Sequence, residues 1–201
     1  MGALRALTGR PVGPDDRRHF QQYLDIFLRW NQTYRMTALD SSSAVVRELF
    51  LDSLLFLALL PPRPIALVDI GAGAGIPGLP LRLADPAIAL TLVEARRKRV
   101  SFLLTVQREL DLRDIAVKEG RAETLLEQES GLVGAFDVVV ARSVGPANVL
   151  LPLARKYLKP GGCLVVSGPP SPLPQEGFEV VRVGIPGTRK HRAFLKSVQG
   201  G

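Results

Sequence analysis

Residues Ile65–Pro80, which read IALVDIGAGAGIPGLP, carry the strongest fold signal in the chain. The first six residues form a nearly continuous apolar run, which is typical of a strand buried on both faces of a parallel sheet. Four glycines follow it: Gly71, Gly73, Gly75 and Gly78. Glycine lets a chain turn sharply and lets its backbone lie against a ligand, because it has no Cβ. With Pro77 fixing φ for a first helical turn, the stretch predicts a strand, a nucleotide-binding loop and a helix that starts near Gly78.

The glycine spacing alone fits more than one class of protein. Gly73–Gly78 satisfies the dinucleotide-binding pattern Gly-x-Gly-x-x-Gly by its letters. Asp69, however, stands two residues before the first glycine, where a dinucleotide fold usually continues with an apolar residue. The form Val-Asp-Ile-Gly-x-Gly-x-Gly resembles the first motif of methyltransferases that use S-adenosylmethionine, in which the loop packs against the amino-acid and ribose portion of the cofactor. A tight turn without a ligand is a further alternative, although four clustered glycines carry an entropic cost.

Length and composition bound the class of protein. The 201 residues suffice for one domain, and 46% hydrophobic with 22% charged residues is an ordinary globular balance. The single cysteine, Cys163, excludes an internal disulfide, and no cluster of metal ligands stands out, so no metal is expected. The start of the chain has too short an apolar core for a signal peptide, and the run Leu49–Leu60 is too short to span a bilayer. We therefore expect a soluble, cytoplasmic protein with no membrane partner.

The charge balance indicates an anionic partner. The formal net charge is +7 and the pI is near 10.1. An enzyme that acts on free metabolites has no need of this positive charge, whereas positive charge strengthens binding to a phosphate backbone. Two basic clusters, Arg96–Arg99 and Arg189–Arg192, could meet phosphate. A solvated surface face is the alternative for each cluster.

Hydrophobic periodicity predicts an α/β chain with an N-terminal helical extension over residues 1–62 and one compact domain over 63–201. Residues 1–13 are predicted to be frayed, and helices are predicted over about 14–34 and 41–60. Trp30 is predicted to be a packing anchor, with a base-stacking platform as the alternative. The helix over 97–110 is predicted to bury one face: Val100, Leu103, Leu104, Val106 and Leu110.

The strands are predicted to build a mostly parallel, Rossmann-like sheet of the class I S-adenosylmethionine-dependent methyltransferase type. They lie over 65–70, 87–93, 115–119, 136–141 and 163–167, with a further helix over 149–158. Helices between strands force parallel pairing and right-handed crossovers. A proline-rich connection over 169–174 leads to an antiparallel pair, 178–183 and 193–198, which supplies one reversed edge strand.

Candidate binding residues lie at the carboxyl ends of the predicted strands, where open α/β sheets bind ligands. Glu94 ends the second strand, where an acid can accept hydrogen bonds from both hydroxyls of an adenosine ribose. A surface pair of Glu94 with Arg97 or Lys98 is the alternative. Ala122 and Glu123 follow the third strand, where methyltransferases commonly hold the adenine ring.

Arg142 ends the fourth strand, where the methyl acceptor is expected. The sequence there lacks the Asn/Asp-Pro-Pro-aromatic loop of amino-methylating enzymes, and it lacks the cysteine that attack on a pyrimidine carbon needs. Guanine N7 already presents a lone pair, so an arginine that hydrogen-bonds guanine O6 or a phosphate would suffice to position it. A structural Arg142 paired with Glu123 or Asp137 is the alternative.

An ordered set of motifs carries a family resemblance: Trp30-Asn31, Met36-Thr37, Leu51-Asp52-Ser53-Leu54, the run GAGAGIPGLPL from Gly71, Lys98-Arg99, Phe102-Leu103, Gly120-Arg121-Ala122-Glu123 and Ala141-Arg142-Ser143. Over about residues 20–170 the chain resembles the glucose-inhibited division protein B family, bacterial methyltransferases that methylate guanine N7 of small-subunit ribosomal RNA.

The resemblance implies S-adenosylmethionine as the cofactor, with contacts at Gly71, Ile76, Ala122, Glu123 and Arg142. The full candidate cofactor-binding set is Asp69, Gly71, Gly73, Gly75, Ile76, Glu94, Ala122, Glu123 and Arg142. The candidate catalytic residues are Arg121 and Arg142. Ribosomal RNA or the small ribosomal subunit is the expected partner, and the expected state is a monomer.

Three positions depart from the family pattern on the presumed RNA side. The family usually has Asn-Leu-Thr at Arg35–Thr37, His at Leu49 and Lys-Gly at Ser167-Gly168. These departures leave open a non-catalytic RNA-binding relative of the family. A nicotinamide-dependent oxidoreductase is a remoter alternative, against which Asp69 and the lack of a catalytic Tyr/Lys or His pairing argue.

Overall fold

The core of the structure, a computed structural model that describes residues 2–9, 11–167 and 175–200, is a seven-stranded sheet. Its strands are β1 (Ile65–Ile70), β2 (Ile88–Glu94), β3 (Ile115–Glu119), β4 (Phe136–Arg142), β5 (Leu158–Ser167), β6 (Glu179–Gly184) and β7 (His191–Val198). Their order across the sheet is β3-β2-β1-β4-β5-β7-β6. Strands β1 to β5 pair in parallel, and β7 runs antiparallel to both of its neighbours. The predicted fold class is confirmed, with the reversed strand one place in from the edge that β6 forms.

Helices cover both faces of the sheet. The α-helices are α1 (Gly2–Thr8), α2 (Pro14–Tyr34), α3 (Ser42–Val45), α4 (Asp52–Leu54), α5 (Gly78–Ala84), α6 (Arg97–Glu109), α7 (Ala122–Gln128) and α8 (Ala147–Tyr157). A π-helical turn (Val46–Leu51) joins α3 to α4, and 3₁₀ turns cover Leu55–Leu59 and Ser130–Leu132.

The central strands bury side chains on both faces, which explains their unbroken apolar runs. In β4, Val138 and Val140 belong to one buried cluster, and Val139 and Ala141 belong to the other. The first cluster packs under α2, the segment Ser42–Leu59, α5 and α6, and the second packs under α7 and α8. The N-terminal extension therefore shares a hydrophobic core with one face of the sheet.

The extension is more regular than predicted at its start. The prediction that residues 1–13 are frayed was wrong, because α1 forms and Leu7 and Val12 pack against the core. The predicted second helix is also divided, since the π turn interrupts the α-helical pattern before Asp52. Among the described residues, no helix has the length and apolar content that crossing a membrane requires.

The buried face of α6 is set by its contact with α2. Leu104, predicted to face inward, is 47% exposed, whereas Phe102 is fully buried. Phe102 packs edge-on against Trp30, with ring centroids 5.6 Å apart, and against Phe27 at 6.2 Å. Trp30 is thus a packing residue, as predicted. The predicted inner face is confirmed for Val100, Leu103, Val106 and Leu110, which are buried, and it is wrong for Leu104.

Two further boundaries differ from prediction. Strand β5 begins at Leu158, directly after α8, so residues 159–162 belong to a strand with an irregular register and not to a loop. The helix α7 was missed between the third and fourth strands. The predicted antiparallel pair is confirmed as β6 and β7, and the connection over 169–174 lies outside the described residues.

Candidate active site

A cleft of about 300 Å³ opens at the carboxyl ends of β1, β2 and β3, beside the loop that follows β4. The strand order reverses between β1 and β4, which is where open α/β sheets bind ligands. Five candidate residues line this cleft: Gly71, Glu94, Arg121, Ala122 and Glu123. The structure therefore brings together residues from three separate predicted strand ends.

The glycine loop shapes the cleft through its backbone. Gly71, Gly73 and Gly75 have φ of +70°, +60° and +78°, a conformation that side-chain-bearing residues rarely adopt. A Cβ on Gly71 would lie 2.9 Å from Val144 Cγ2, and a Cβ on Gly75 would overlap Leu79. The cleft is not lined by Gly73, Gly75 or Ile76, which belong to the turn that follows Gly71.

Glu94 forms a polar wall of the cleft and also holds the glycine loop. Its side chain is 6% exposed; Oε2 accepts the Gly73 N–H at 2.8 Å and Oε1 accepts the Arg96 N–H at 2.8 Å. Its cationic neighbour is Arg99, whose Nη1 lies 3.8 Å from Oε2. The alternative prediction, a surface pair of Glu94 with Arg97 or Lys98, was therefore wrong. A carboxylate has about four acceptor positions, so Glu94 retains capacity for two further donors.

Asp69 lies beneath the loop and does not line the cleft. It is fully buried, its Oδ2 accepts the Gly78 N–H at 2.8 Å, and its Oδ1 has no hydrogen-bond partner. Burial, followed by the neighbouring Glu94 charge, raises the pKa of Asp69 to about 7. In a dinucleotide fold a pyrophosphate would face the helix N-terminus, and here the Asp69 carboxyl already binds the first N–H of α5. This contact argues against the oxidoreductase alternative.

Tyr23, a residue that was not predicted to belong to the site, supports the loop from the extension. Its hydroxyl donates to the Ala74 carbonyl at 2.6 Å, and its ring stacks on Phe50 with centroids 4.7 Å apart. Burial, followed by the Asp69 charge, raises the pKa of Tyr23 well above its usual value. A tyrosine on the apolar face of a helix was a usable signal, because a buried hydroxyl needs a polar partner.

The opposite wall of the cleft is apolar and was also missed. It comes from the loop after β4 and the first turns of α8: Val144, Gly145, Pro146, Val149, Leu150 and Leu153. Val144 and Val149 are 41% and 68% exposed, although both are large apolar residues. On the third side, the Tyr157 hydroxyl donates to the Ala122 carbonyl at 2.8 Å and fixes the start of α7.

Arg142 does not line the cleft but turns toward the extension. Its Nη1 lies 3.1 Å from Asp52 Oδ2, and its Nη2 donates to the Glu48 carbonyl at 2.8 Å. Neither partner named in the structural alternative contacts it, since Asp137 binds Lys159 at 2.8 Å. Burial is the main cause of a lowered Arg142 pKa, yet a guanidinium stays charged in proteins.

The basic clusters divide between surface and structure. Arg96, Arg97 and Lys98 are exposed, whereas Arg99 is half-buried beside Glu94. Arg189, Lys190 and His191 are exposed at the β6–β7 turn, and Arg192 binds Asp52.

Ser167, at the end of β5, is buried beside Arg142 in the sheet register, and Gly168 lies outside the described residues. Within those residues, no group of three or more histidine, cysteine and acidic side chains is placed to hold a metal ion.

Several solved structures with a similar fold are methyltransferases. An O-methyltransferase from Bacillus cereus in complex with SAH superimposes with a TM-score of 0.58 at 16% identity, covering 89% of this chain and 90% of that chain. The CurJ carbon methyltransferase gives a TM-score of 0.58 at 18% identity, covering 81% of this chain and 56% of that chain. The strand order and the cleft at its reversal are accordingly those of a class I methyltransferase fold.

Sequence comparison gives the family. The model of the GidB family, rRNA small subunit methyltransferase G, matches residues 16–168. The ribosomal RNA small subunit methyltransferase G of Streptococcus pneumoniae is 34% identical over 164 residues, 81% of this chain and 69% of the relative. That of Lactococcus lactis is 32% identical over 166 residues, with the same coverage. This chain belongs to the GidB family, and the resemblance drawn from the motifs is confirmed.

Proposed function

We propose that this protein transfers the methyl group of S-adenosylmethionine to small-subunit ribosomal RNA, at guanine N7. The observation that carries the proposal is the cleft at the β1/β4 reversal, in which the glycine loop, the Glu94 carboxylate and the start of α7 meet. The family match supports the RNA substrate, and the motif resemblance supports guanine N7. The proposal includes a monomer as the active species, and a ribosomal substrate implies action in the cytoplasm.

The residues present fit the cofactor. Glu94 keeps acceptor capacity toward the cleft, as binding of two ribose hydroxyls requires, because each oxygen uses one backbone N–H. The apolar wall from Val144 to Leu153 suits a planar base, and Ala122 with Glu123 borders it on the side of α7. Positive φ at Gly71 brings backbone without a Cβ against the ligand. When bound, the cofactor supplies an electrophilic methyl group on a sulfonium.

The acceptor needs orientation more than proton transfer. Guanine N7 has a lone pair, so it would accept the methyl group without the removal of a proton, and the base would become cationic. Positioning of two reactants is a large source of rate enhancement. We assign Arg142, at the carboxyl end of β4 beside the cleft, to hold the nucleotide. Arg121, which lines the cleft, is the second cation near the acceptor.

Mapping of modified nucleotides tests this proposal. Ribosomal RNA from cells with and without this gene is compared, and the loss of one N7-methylguanosine from the small-subunit RNA is expected. In a parallel assay, purified protein transfers labelled methyl groups to that unmodified RNA. An intact modification pattern in cells without the gene, together with no transfer in vitro, contradicts the proposal and favours the non-catalytic RNA-binding relative.

A further inference from the structure

Asp52 lies outside the cleft, yet it joins three distant parts of the chain. Its Oδ2 is 3.1 Å from Nη1 of Arg142 at the end of β4, and its Oδ1 accepts from Nε of Arg192 in β7 at 3.1 Å. The three side chains are 16–20% exposed. One carboxylate thus contacts a guanidinium on each oxygen, and the cluster keeps a net charge of +1.

Docking of the extension does not require this charged cluster. The Trp30 ring packs edge-on against Phe102 of α6 with centroids 5.6 Å apart, and Phe56 packs edge-on against Phe194 of β7 at 4.8 Å, so apolar contacts already join the extension to the sheet domain. Buried ion pairs cost desolvation and often contribute less than apolar side chains of the same size. Docking therefore does not explain why Asp52, Arg142 and Arg192 occupy this position, and another role is needed.

Two contacts restrain the Arg142 guanidinium. Nη2 donates to the Glu48 carbonyl at 2.8 Å, and Nη1 forms an ion pair with Asp52 Oδ2 at 3.1 Å without hydrogen-bond geometry. Glu48 lies in the π turn that directly precedes Asp52, and π turns in helices occur frequently at functional sites. The turn therefore places a carbonyl and a carboxylate on the same arginine.

We propose that Asp52 is a positioning residue, which holds Arg142 in the orientation that binds a backbone phosphate of the RNA beside the target nucleotide. The surplus positive charge favours an anion, and a planar guanidinium matches phosphate geometry. The inference rests on the proposed function, because it concerns the RNA side of the same reaction.

Asp52→Asn separates positioning from charge. The substitution raises the cluster charge from +1 to +2, so RNA is expected to bind as tightly as to the wild type or more tightly. Loss of orientation is expected to lower kcat by about ten- to a hundredfold, the scale of misplaced reactants. Affinity for S-adenosylhomocysteine is expected to stay unchanged. Asp52→Glu, which keeps the charge and shifts its position, is expected to show a smaller loss of kcat.

Two further variants make the test specific. Asp85→Asn breaks the Arg63–Asp85 pair, which has similar burial and lies at the other end of the sheet, and is expected to leave kcat unchanged. In a double-mutant cycle, Asp52→Asn is expected to add little to Arg142→Lys, because both act through one side chain. Wild-type kcat in Asp52→Asn, additive losses in the cycle, or a fall in cofactor affinity equal to that in kcat would overturn the inference. Absence of methyl transfer by the wild-type protein would instead refute the proposed function.

Discussion

Glu94 combines two tasks in one carboxylate. It accepts the Gly73 and Arg96 N–H groups at 2.8 Å each, and it faces the cleft with its remaining acceptor capacity. The loop conformation and the proposed ribose contact therefore depend on the same side chain. This arrangement keeps the ligand-binding carboxylate rigid before the ligand arrives, which lowers the entropic cost of binding.

Replacing Glu94 with glutamine is expected to weaken binding of S-adenosylhomocysteine. The loss of charge-assisted hydrogen bonds is worth about 1.5–3 kcal/mol per group, which is roughly ten- to a hundredfold in Kd. Titration calorimetry measures the affinity, and Glu119→Gln, at the exposed end of β3 beside Glu94 in the sheet register, is the control. If both variants bind as the wild type does, Glu94 does not contact the ribose.

At the scale of elements, the β6–β7 hairpin has a basic tip and a structural base. Arg189 and Lys190 are exposed at the turn, whereas Arg192 binds Asp52. The hairpin base thus lies beside Arg142, because Arg192 and Arg142 share the Asp52 carboxylate. We expect a phosphate backbone bound at Arg142 to meet the two exposed cations of the hairpin tip as well.

The double substitution Arg189→Ala/Lys190→Ala is expected to flatten the salt dependence of RNA affinity. Each lost phosphate contact lowers the slope of log K against log salt by about 0.7 for single-stranded RNA. Filter binding between low and moderate salt measures the slope. Arg155→Ala/Lys156→Ala removes the same charge from exposed positions at the end of α8 and serves as the control. Equal slopes for both variants would show that the hairpin tip makes no specific phosphate contact.

At the scale of the whole molecule, the extension and the sheet stabilise one another through the glycine loop. Tyr23 of α2 binds the loop carbonyl of Ala74, and beneath the same loop Asp69 binds the first N–H of α5. Asp69 is fully buried with one oxygen unpartnered, so its ionisation is a cost to the folded state as a whole.

This buried acid is expected to make stability fall as pH rises. The folded-state pKa of about 7 lies above the usual 3.8, so the folded protein retains a proton that the unfolded chain releases between those values. The free energy of unfolding therefore declines from about pH 4 to about pH 7 and is level above. Urea unfolding between pH 5 and pH 8 measures this slope.

Asp69→Asn keeps an acceptor for the Gly78 N–H and is expected to remove that slope. Asp137→Asn is the control: the pKa of Asp137 is lowered by its contact with Lys159, against the effect of its partial burial, so this acid stays ionised throughout the same range. A slope in Asp69→Asn equal to that of the wild type would show that Asp69 titrates near its ordinary value.

The strands, the glycine loop and the class of cofactor could be predicted from the amino-acid sequence. Local patterns suffice for these, because an apolar run bounded by glycines and a carboxylate at a strand end act over a few residues. The positive φ values in the loop and the gathering of Glu94, Ala122 and Glu123 follow from that pattern and from parallel pairing. Family membership followed from the same motifs.

The contacts of individual side chains depend on tertiary packing and could not be predicted from the sequence. Arg142 was predicted to reach the crevice, but Asp52, 90 positions earlier in the chain, binds it instead. Asp69 was predicted at the cofactor and supports α5, and the buried face of α6 includes Phe102, which contacts Trp30 of α2, but leaves Leu104 exposed. These contacts join residues far apart in sequence, and their geometry depends on how the extension packs on the sheet. The spacing of residues along the sequence does not determine that packing.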